Sequence, residues 1–164
     1  MKLQNLTQVS SGFKQNRQLL IVEKTLAFRN FFASLFTKAG HTVACLAKDE
    51  DEAFCFLKTS CSVLNLSPNS AVEAIIVSLL SSHYSIGLQA IQHFRVLGFK
   101  GVILVVVNHD TKEPEQVFQE SGADGIFICP FHIYFPHSTE GIFSFQLANV
   151  SLFNTLFYRK RHSA

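Results

Sequence analysis

The sequence predicts a doubly wound α/β domain, in which a five-stranded parallel sheet is covered by helices on both sides. Five short apolar runs alternate with stretches whose apolar residues recur at helical spacing. This alternation is typical of parallel strands joined by crossover helices. The apolar runs lack the in-and-out pattern of half-exposed strands, so we expect both faces of the sheet to be buried. The length of 164 residues suits one such domain.

The first βα unit has the clearest pattern. A strand is predicted over residues 19–22, directly before Glu23 and Lys24. One apolar stripe then follows at i, i+3, i+4, i+7, i+8 and i+11, and Gly40 ends it, which predicts a helix. The stripe consists of Phe28, Phe31, Phe32, Leu35, Phe36 and Ala39. A second strand is predicted over Thr42–Leu46.

The middle of the chain continues the alternation. Asp49–Lys58 is predicted to be a helix, because its acidic first turn suits the helix dipole. Residues 59–70 are rich in turn-forming residues and have no period, which predicts a loop. A third strand is predicted over residues 74–77, ending at Ser78, and a third helix over Ile86–Leu97.

The last third of the chain completes five βα units. Val102–Val107 is the most apolar of the predicted strands. A short helix is expected to begin near Pro114 and to end before Gly122. Ile126–Ile128 is the predicted fifth strand, and residues 138–161 are predicted to form a long C-terminal helix.

Composition and charge narrow the classes of function. With 48% hydrophobic and 16% charged residues the chain is globular, and a net charge of +2 is too small to indicate a nucleic-acid partner. The apolar runs are far shorter than the ~20 residues that cross a bilayer, and the polar N-terminus lacks a signal-like apolar region. The four cysteines have no Cys-x2-Cys spacing, which favours reduced thiols. We therefore expect a cytoplasmic protein without membrane contact.

The functional site of an open parallel sheet is expected where the carboxyl ends of its strands meet. The residues at these ends are Glu23, Lys24, Ser78, Leu79, Val106, Val107, Asn108 and Cys129. A phosphate-binding glycine loop does not follow any predicted strand, and the histidines lack metal-ligand spacing. The sequence therefore predicts neither a cofactor nor a metal.

Three parts of the chain resemble the receiver domains of bacterial response regulators. Leu20–Lys24 and Ala39–Val43 are similar to the opening of a receiver. Glu73–Ser78 with Ile86–Leu88 is similar to the phosphoacceptor strand and its following helix. Ser121–Phe131 is similar to the final strand, with the Lys-Pro-Phe ending altered to Cys-Pro-Phe.

The resemblance covers about residues 19–131 and implies a flavodoxin-like sheet with strand order 2-1-3-4-5. It also implies that the phosphorylation site is degenerate. The matched positions are Glu23 and Lys24 for the acid pair, Ser78 or Leu79 for the acceptor aspartate, Val106 beside Val107 for the hydroxyl residue, and Cys129 for the lysine. Mg²⁺ needs several oxygen ligands and an acyl phosphate needs a carboxylate nucleophile, so phosphotransfer is expected to be lost.

The residues at the degenerate site have simpler interpretations as well. Glu23 and Lys24 are expected to form a salt bridge at the rim of the crevice, or alternatively to hold a small anion or a partner side chain. We expect no base beside Ser78. Cys129 is expected to be an ordinary half-buried cysteine, because a reactive thiol needs a nearby cation to lower its pKa.

The C-terminal helix gives the main positive indication of function. Its apolar residues cover an arc of roughly 220°, where a surface helix needs roughly 100°. One face is expected to pack on the sheet and the other to bind a second copy or another protein, unless the N-terminal segment covers it. The predicted interface residues are Phe143, Leu147, Val150, Phe153 and Phe157. A total of 17 phenylalanines supports a further buried contact.

The sequence thus predicts three parts: a loose lead-in over 1–17, a receiver-like core over 18–131 and an interaction segment over 132–164. The predicted function is that of a non-enzymatic, atypical pseudo-receiver in two-component signalling. It would bind a protein partner or itself, as a homodimer, without phosphorylation. The alternative is a small-molecule or redox sensor that uses the crevice at Glu23, Lys24, Ser78 and Cys129.

Overall fold

The computed structural model describes residues 16–64, 72–108, 111–112 and 115–129. Within these ranges five strands alternate with four helices. The strands are β1 (Gln18–Val22), β2 (Thr42–Ala47), β3 (Ala74–Ser78), β4 (Val102–Asn108) and β5 (Gly125–Cys129). The helices are α1 (Leu26–Lys38), α2 (Glu50–Leu64), α3 (Tyr84–Val96) and α4 (Glu115–Glu120).

The strands form one parallel sheet in the order β2-β1-β3-β4-β5, which confirms the predicted topology. The register fixes which residues lie side by side at the carboxyl edge. Val22 pairs with Val77, so the residues that follow them, Glu23 and Ser78, are neighbours. Ser78 pairs with Val106, and Val106 pairs with Phe127. Residues from four strands therefore form one row across the sheet.

Both faces of the three central strands β1, β3 and β4 are buried, as their uninterrupted apolar runs predicted. The same prediction is wrong for the edge strand β2, where only Ala47 is buried, and Ile128 of the other edge strand, β5, is 63% exposed. On one face, α1 packs on the sheet through its predicted stripe, with Phe32, Leu35 and Phe36 buried. On the other face, α2, α3 and α4 contribute the buried residues Ala53, Leu57, Ala90, Ile91, Phe94 and Phe118. Gly40, with φ of 89°, ends α1 at the predicted position because glycine adopts this left-handed conformation without strain.

The predicted end of the second helix at Lys58 is wrong, because α2 continues to Leu64 through part of the predicted loop 59–70. Threonine, serine and cysteine cost only tenths of a kcal/mol in a helix, up to about 0.7 kcal/mol per residue. Leu57, buried on the sheet, anchors the helix just before this stretch. Residues 59–64 contain turn-forming residues but neither glycine nor proline, so they were weak evidence for the end of a helix.

Two other predictions concern the ends of the chain. The C-terminal helix over 138–161 and residues 1–15 of the lead-in lie outside the described residues. Arg17 is buried and donates a hydrogen bond from Nη1 to Glu73 Oε1 at 2.9 Å. Within the described part of the chain, no helix is both long and apolar enough to cross a bilayer.

Candidate functional site

The centre of the carboxyl edge is a hydrogen-bonded pair formed by Glu23 and Ser78. The Ser78 hydroxyl donates a short hydrogen bond to Glu23 Oε2. The backbone N–H of Thr25 donates to Glu23 Oε1 at 2.7 Å. Glu23 is 1% exposed and Ser78 is 3% exposed, so the pair is closed off from solvent. Both oxygens of the buried carboxyl group thus have a donor within the protein, as buried polar groups require.

The predicted salt bridge between Glu23 and Lys24 is wrong. Successive residues at the end of a strand point to opposite sides. Glu23 therefore turns inward to Ser78, whereas Lys24 is exposed. Among the described residues, no ion pair joins these two side chains.

The expectation that no base lies beside Ser78 is also wrong. Glu23 Oε2 accepts the hydrogen bond of the Ser78 hydroxyl, which is the geometry of a base beside a nucleophile. Local sequence gave no sign of this contact, because the two residues are 55 positions apart. Ser78 is only 3% exposed, so little of its surface is open to other molecules.

Ser78 and Leu79 were both candidates for the acceptor position, and the structure separates their surroundings. Leu79 belongs to the apolar cluster on the opposite face of the sheet from Ser78. A Cβ added at Gly87 would lie 2.2 Å from Leu79 Cδ2, so the leucine packs directly against this glycine of α3. Of the two residues, it is Ser78 that contacts Glu23.

The other predicted site residues extend the row toward β5. Val106 is buried beside Ser78, and Phe127 is buried beside Val106. Cys129 pairs with Asn108 and lies two residues beyond Phe127, which is about 6–7 Å further along β5. The side chain of Cys129 lies outside the described residues, as do the predicted interface residues Phe143, Leu147, Val150, Phe153 and Phe157. In this row the described side chains on β4 and β5, which are Val106 and Phe127, are apolar.

A cavity of about 590 Å³ opens at the same edge, between α2 and α3. Glu23, Lys24 and Ser78 line it, as the sequence predicted for a crevice at this edge. The cavity is also lined by residues that the sequence pattern did not single out, namely Lys48, Asp49, Glu50, His83 and Ile86. The rule that places functional residues after strands would have found Lys48 and Asp49 if it had been applied to β2.

The acidic residues beside β2 are engaged by the start of α2 and by α3. Asp49 Oδ1 accepts the backbone N–H of Glu52 at 2.9 Å, and a Glu52 oxygen accepts the backbone N–H of Lys48 at 2.6 Å. Asp49 is therefore the N-cap of α2. A Glu50 oxygen forms a short contact with His93 Nδ1 on α3. The Glu50–His93 contact therefore joins α2 to α3, the two helices that form the cavity walls.

Replacing Ser78 by alanine is expected to lower the free energy of unfolding by about 1–3 kcal/mol, because Glu23 Oε2 would lose its buried donor. Urea denaturation measures this loss. Ser81→Ala is the matched control, since the Ser81 hydroxyl pairs with Thr25 Oγ1 at an exposed position and its removal should change stability by about 0.5 kcal/mol or less. Equal losses in the two variants would contradict the importance of the buried pair.

Comparison with known proteins gave matches in structure alone, since neither a protein-family model nor a curated protein matches the chain. A receiver domain protein from Clostridium thermocellum is 11% identical, with a TM-score of 0.65 over 90% of this chain and 99% of that chain. The chemotaxis response regulator CheY4 of Vibrio cholerae is 19% identical, with a TM-score of 0.54 over 82% and 98%.

A third similar structure is the co-crystal of the Saccharomyces cerevisiae histidine phosphotransfer protein Ypd1 with the receiver domain of its response regulator Ssk1. That match is 15% identical, with a TM-score of 0.55 over 72% of this chain and 81% of that chain. These proteins share their fold with this chain, but the sequence identities are too low to transfer their chemistry to it. The chain therefore has the fold of a response-regulator receiver domain.

Proposed function

We propose that this protein is a pseudo-receiver, a non-enzymatic cytoplasmic module of two-component signalling that binds protein without being phosphorylated. The observation that carries the proposal is the buried hydrogen bond between Ser78 and Glu23. It occupies the end of β3, where the resemblance to receivers puts the phosphoacceptor aspartate. The resemblance to receivers and the hydrogen bond at the end of β3 together support a receiver-like domain that cannot accept a phosphoryl group.

The nucleophile is the first missing component. An acyl phosphate forms on a carboxylate, and the residue at the end of β3 offers a hydroxyl instead. Glu23 supplies the neighbouring carboxyl group, but it is 1% exposed and both of its oxygens accept hydrogen bonds. A phosphoryl donor would have to break this pair before it could reach either residue.

The metal site is the second missing component. Mg²⁺ binds through one or two carboxylates together with water and phosphate oxygens. Glu23 is engaged by Ser78 and Thr25, and the ammonium group of Lys24 follows it directly in the chain. Lys24 also lines the cavity, and its positive charge there opposes a divalent cation. Asp49 and Glu50 have their own partners on α2 and α3.

Protein binding is supported by the fold and by the C-terminal sequence. The Ypd1–Ssk1 structure is a complex of a receiver domain with a partner protein. If the C-terminal segment forms the helix that the sequence predicts, its apolar arc, which includes Phe143, Leu147, Val150, Phe153 and Phe157, is wider than one packing face needs. We assign these residues to the contact with a second copy of the chain or with a partner.

Analytical ultracentrifugation of the full chain tests this function. We expect a dimer whose dissociation constant does not change with acetyl phosphate and Mg²⁺. Phe153→Asp or Phe157→Asp should yield a folded monomer, because a carboxylate buried in an apolar interface is costly. Thr155→Asp, which adds the same charge on the side of the predicted helix opposite the apolar arc, should leave the dimer intact. A wild-type monomer at high concentration, or a dimer that responds to acetyl phosphate, would contradict the proposal.

A second candidate function, the sensing of a small molecule, is favoured by the cavity at the carboxyl edge, whose volume of about 590 Å³ is typical of ligand sites. The redox form of this function depends on Cys129, whose side chain lies outside the described residues. Burial raises the pKa of the Cys45 thiol and Glu52 adds to the shift, so this cysteine lacks the activation that a redox sensor needs.

A further inference from the structure

The charged residues around the cavity are unequally engaged. The three acidic residues of its wall already have partners within the protein. Glu23 is bonded to Ser78 and Thr25, Asp49 caps α2, and Glu50 contacts His93. The two lysines of the wall, Lys24 and Lys48, are exposed, and neither has an acidic partner among the described residues. Lys24 and Lys48 are therefore the charged side chains of the wall that a ligand can pair with without breaking a contact among the described residues.

Much of the remaining wall is apolar, although Ser81, Ser82 and His83 also line it. Val77, Leu79 and Ala90 form its buried floor between β3 and α3. Ile86 lies at its edge and is 55% exposed, so its apolar side chain is available to a ligand. A ligand that placed apolar atoms against Ile86 and Leu79 would remove this surface from water, which is favourable.

The two lysines and the apolar residues beside them indicate which kind of ligand the cavity can bind. We propose that the cavity binds a small organic anion, with a carboxylate or phosphate head at Lys24 and Lys48 and an apolar body against Leu79, Ile86 and Ala90. The volume of about 590 Å³ suits a molecule of this size. The binding is non-covalent and takes place on the α2 and α3 side of the Glu23–Ser78 pair. The inference extends the second candidate function, and its test is independent of phosphorylation.

Isothermal titration calorimetry of the full chain tests the charge preference with four probes. Phenyl phosphate and phenylacetate carry the two anionic heads on the same ring, benzylammonium carries the opposite charge, and inorganic phosphate lacks the apolar body. We expect at least one of the two aromatic anions to bind, and to bind more tightly than benzylammonium and inorganic phosphate. Which anion binds more tightly identifies the head group. Absence of binding by both aromatic anions at millimolar concentration overturns the proposal, as does equal binding of benzylammonium.

Lysine variants locate the anionic head. Lys24→Ala and Lys48→Ala should each weaken binding of the preferred anion by about tenfold, since each removes a charge-assisted contact. Lys38→Ala is the matched control, because it removes the same charge from the far end of α1 and should leave the affinity unchanged. Unchanged affinity in the Lys24→Ala, Lys48→Ala double variant overturns the assignment.

A fluorescent reporter locates the apolar body. The chain has no tryptophan, so Ile86→Trp introduces a single reporter at an exposed position of the cavity edge. Phenyl phosphate should change its emission, and the change should weaken when Lys24 and Lys48 are also replaced by alanine. Binding in the calorimeter without a change in this emission would place the ligand elsewhere and contradict the inference.

Discussion

Replacing Phe94 by alanine is expected to lower the free energy of unfolding by about 3–5 kcal/mol, the largest effect of any substitution considered. Phe94 is fully buried in the cluster between α3 and the sheet. Its ring centroid lies 4.9 Å from that of Phe54 on α2. The substitution would leave a cavity between the two helices that form the walls of the ligand cavity.

Urea denaturation followed by circular dichroism measures the loss at Phe94. The control is Val96→Ala on the same helix, where the side chain is 86% exposed and the change should be about 0.5 kcal/mol or less. If both variants unfold at the same urea concentration, α3 does not pack on the sheet through Phe94. The position of the cavity wall would then be wrong as well.

Replacing Arg95 by alanine is expected to cost about 3 kcal/mol. Its guanidinium donates to the carbonyl oxygens of Phe99 and Gly101, each at 2.8 Å. It also donates to the carbonyl oxygen of Gly122 and to Asp124 Oδ2, at 2.8 Å each from Nη2. These contacts join the end of α3 to the turns before β4 and β5. Hydrogen bonds to a charged group contribute about 1.5–3 kcal/mol each, but they are not additive.

The geometry around Arg95 explains why lysine should not replace it. A Cβ added at Gly122 would lie 2.7 Å from Arg95 Cγ, so the side chain runs directly over the glycine. From there its planar fork reaches several acceptors at once, whereas a lysine ammonium is a single point. Urea denaturation of Arg95→Lys should therefore recover little of the loss in Arg95→Ala. Full recovery would show that charge alone matters, against this account.

The strands were predictable because each is a continuous apolar run that ends in a polar residue or a turn. The run before Glu23 and the run before Ser78 are buried on both faces, as their sequences require. The end of α2 was not predictable in the same way. Thr59 and Ser60 permit a turn and a helix at similar cost, and the packing of Leu57 decides between them.

The candidate site was predictable in its positions and not in its contacts. The carboxyl-end rule and the receiver resemblance placed Glu23 and Ser78 together, but the salt bridge to Lys24 was wrong. Local sequence shows that Glu23 and Lys24 are adjacent, whereas the strand register decides that Glu23 turns toward Ser78. The cavity is formed by side chains from separate helices and strands, so the sequence pattern could not predict its shape. The pattern also could not show that Lys24 and Lys48 lack acidic partners among the described residues.

Whether this chain can accept a phosphoryl group is tested most directly by intact-mass spectrometry of the full chain after incubation with acetyl phosphate and Mg²⁺. Because the residue at the end of β3 is a buried serine bonded to Glu23, and an acyl phosphate needs a carboxylate, we predict that the mass does not change. A stable phosphoryl adduct that is present in the wild type and absent in Ser78→Ala or Glu23→Gln would contradict the claim. The protein would then be a working phosphorylation switch.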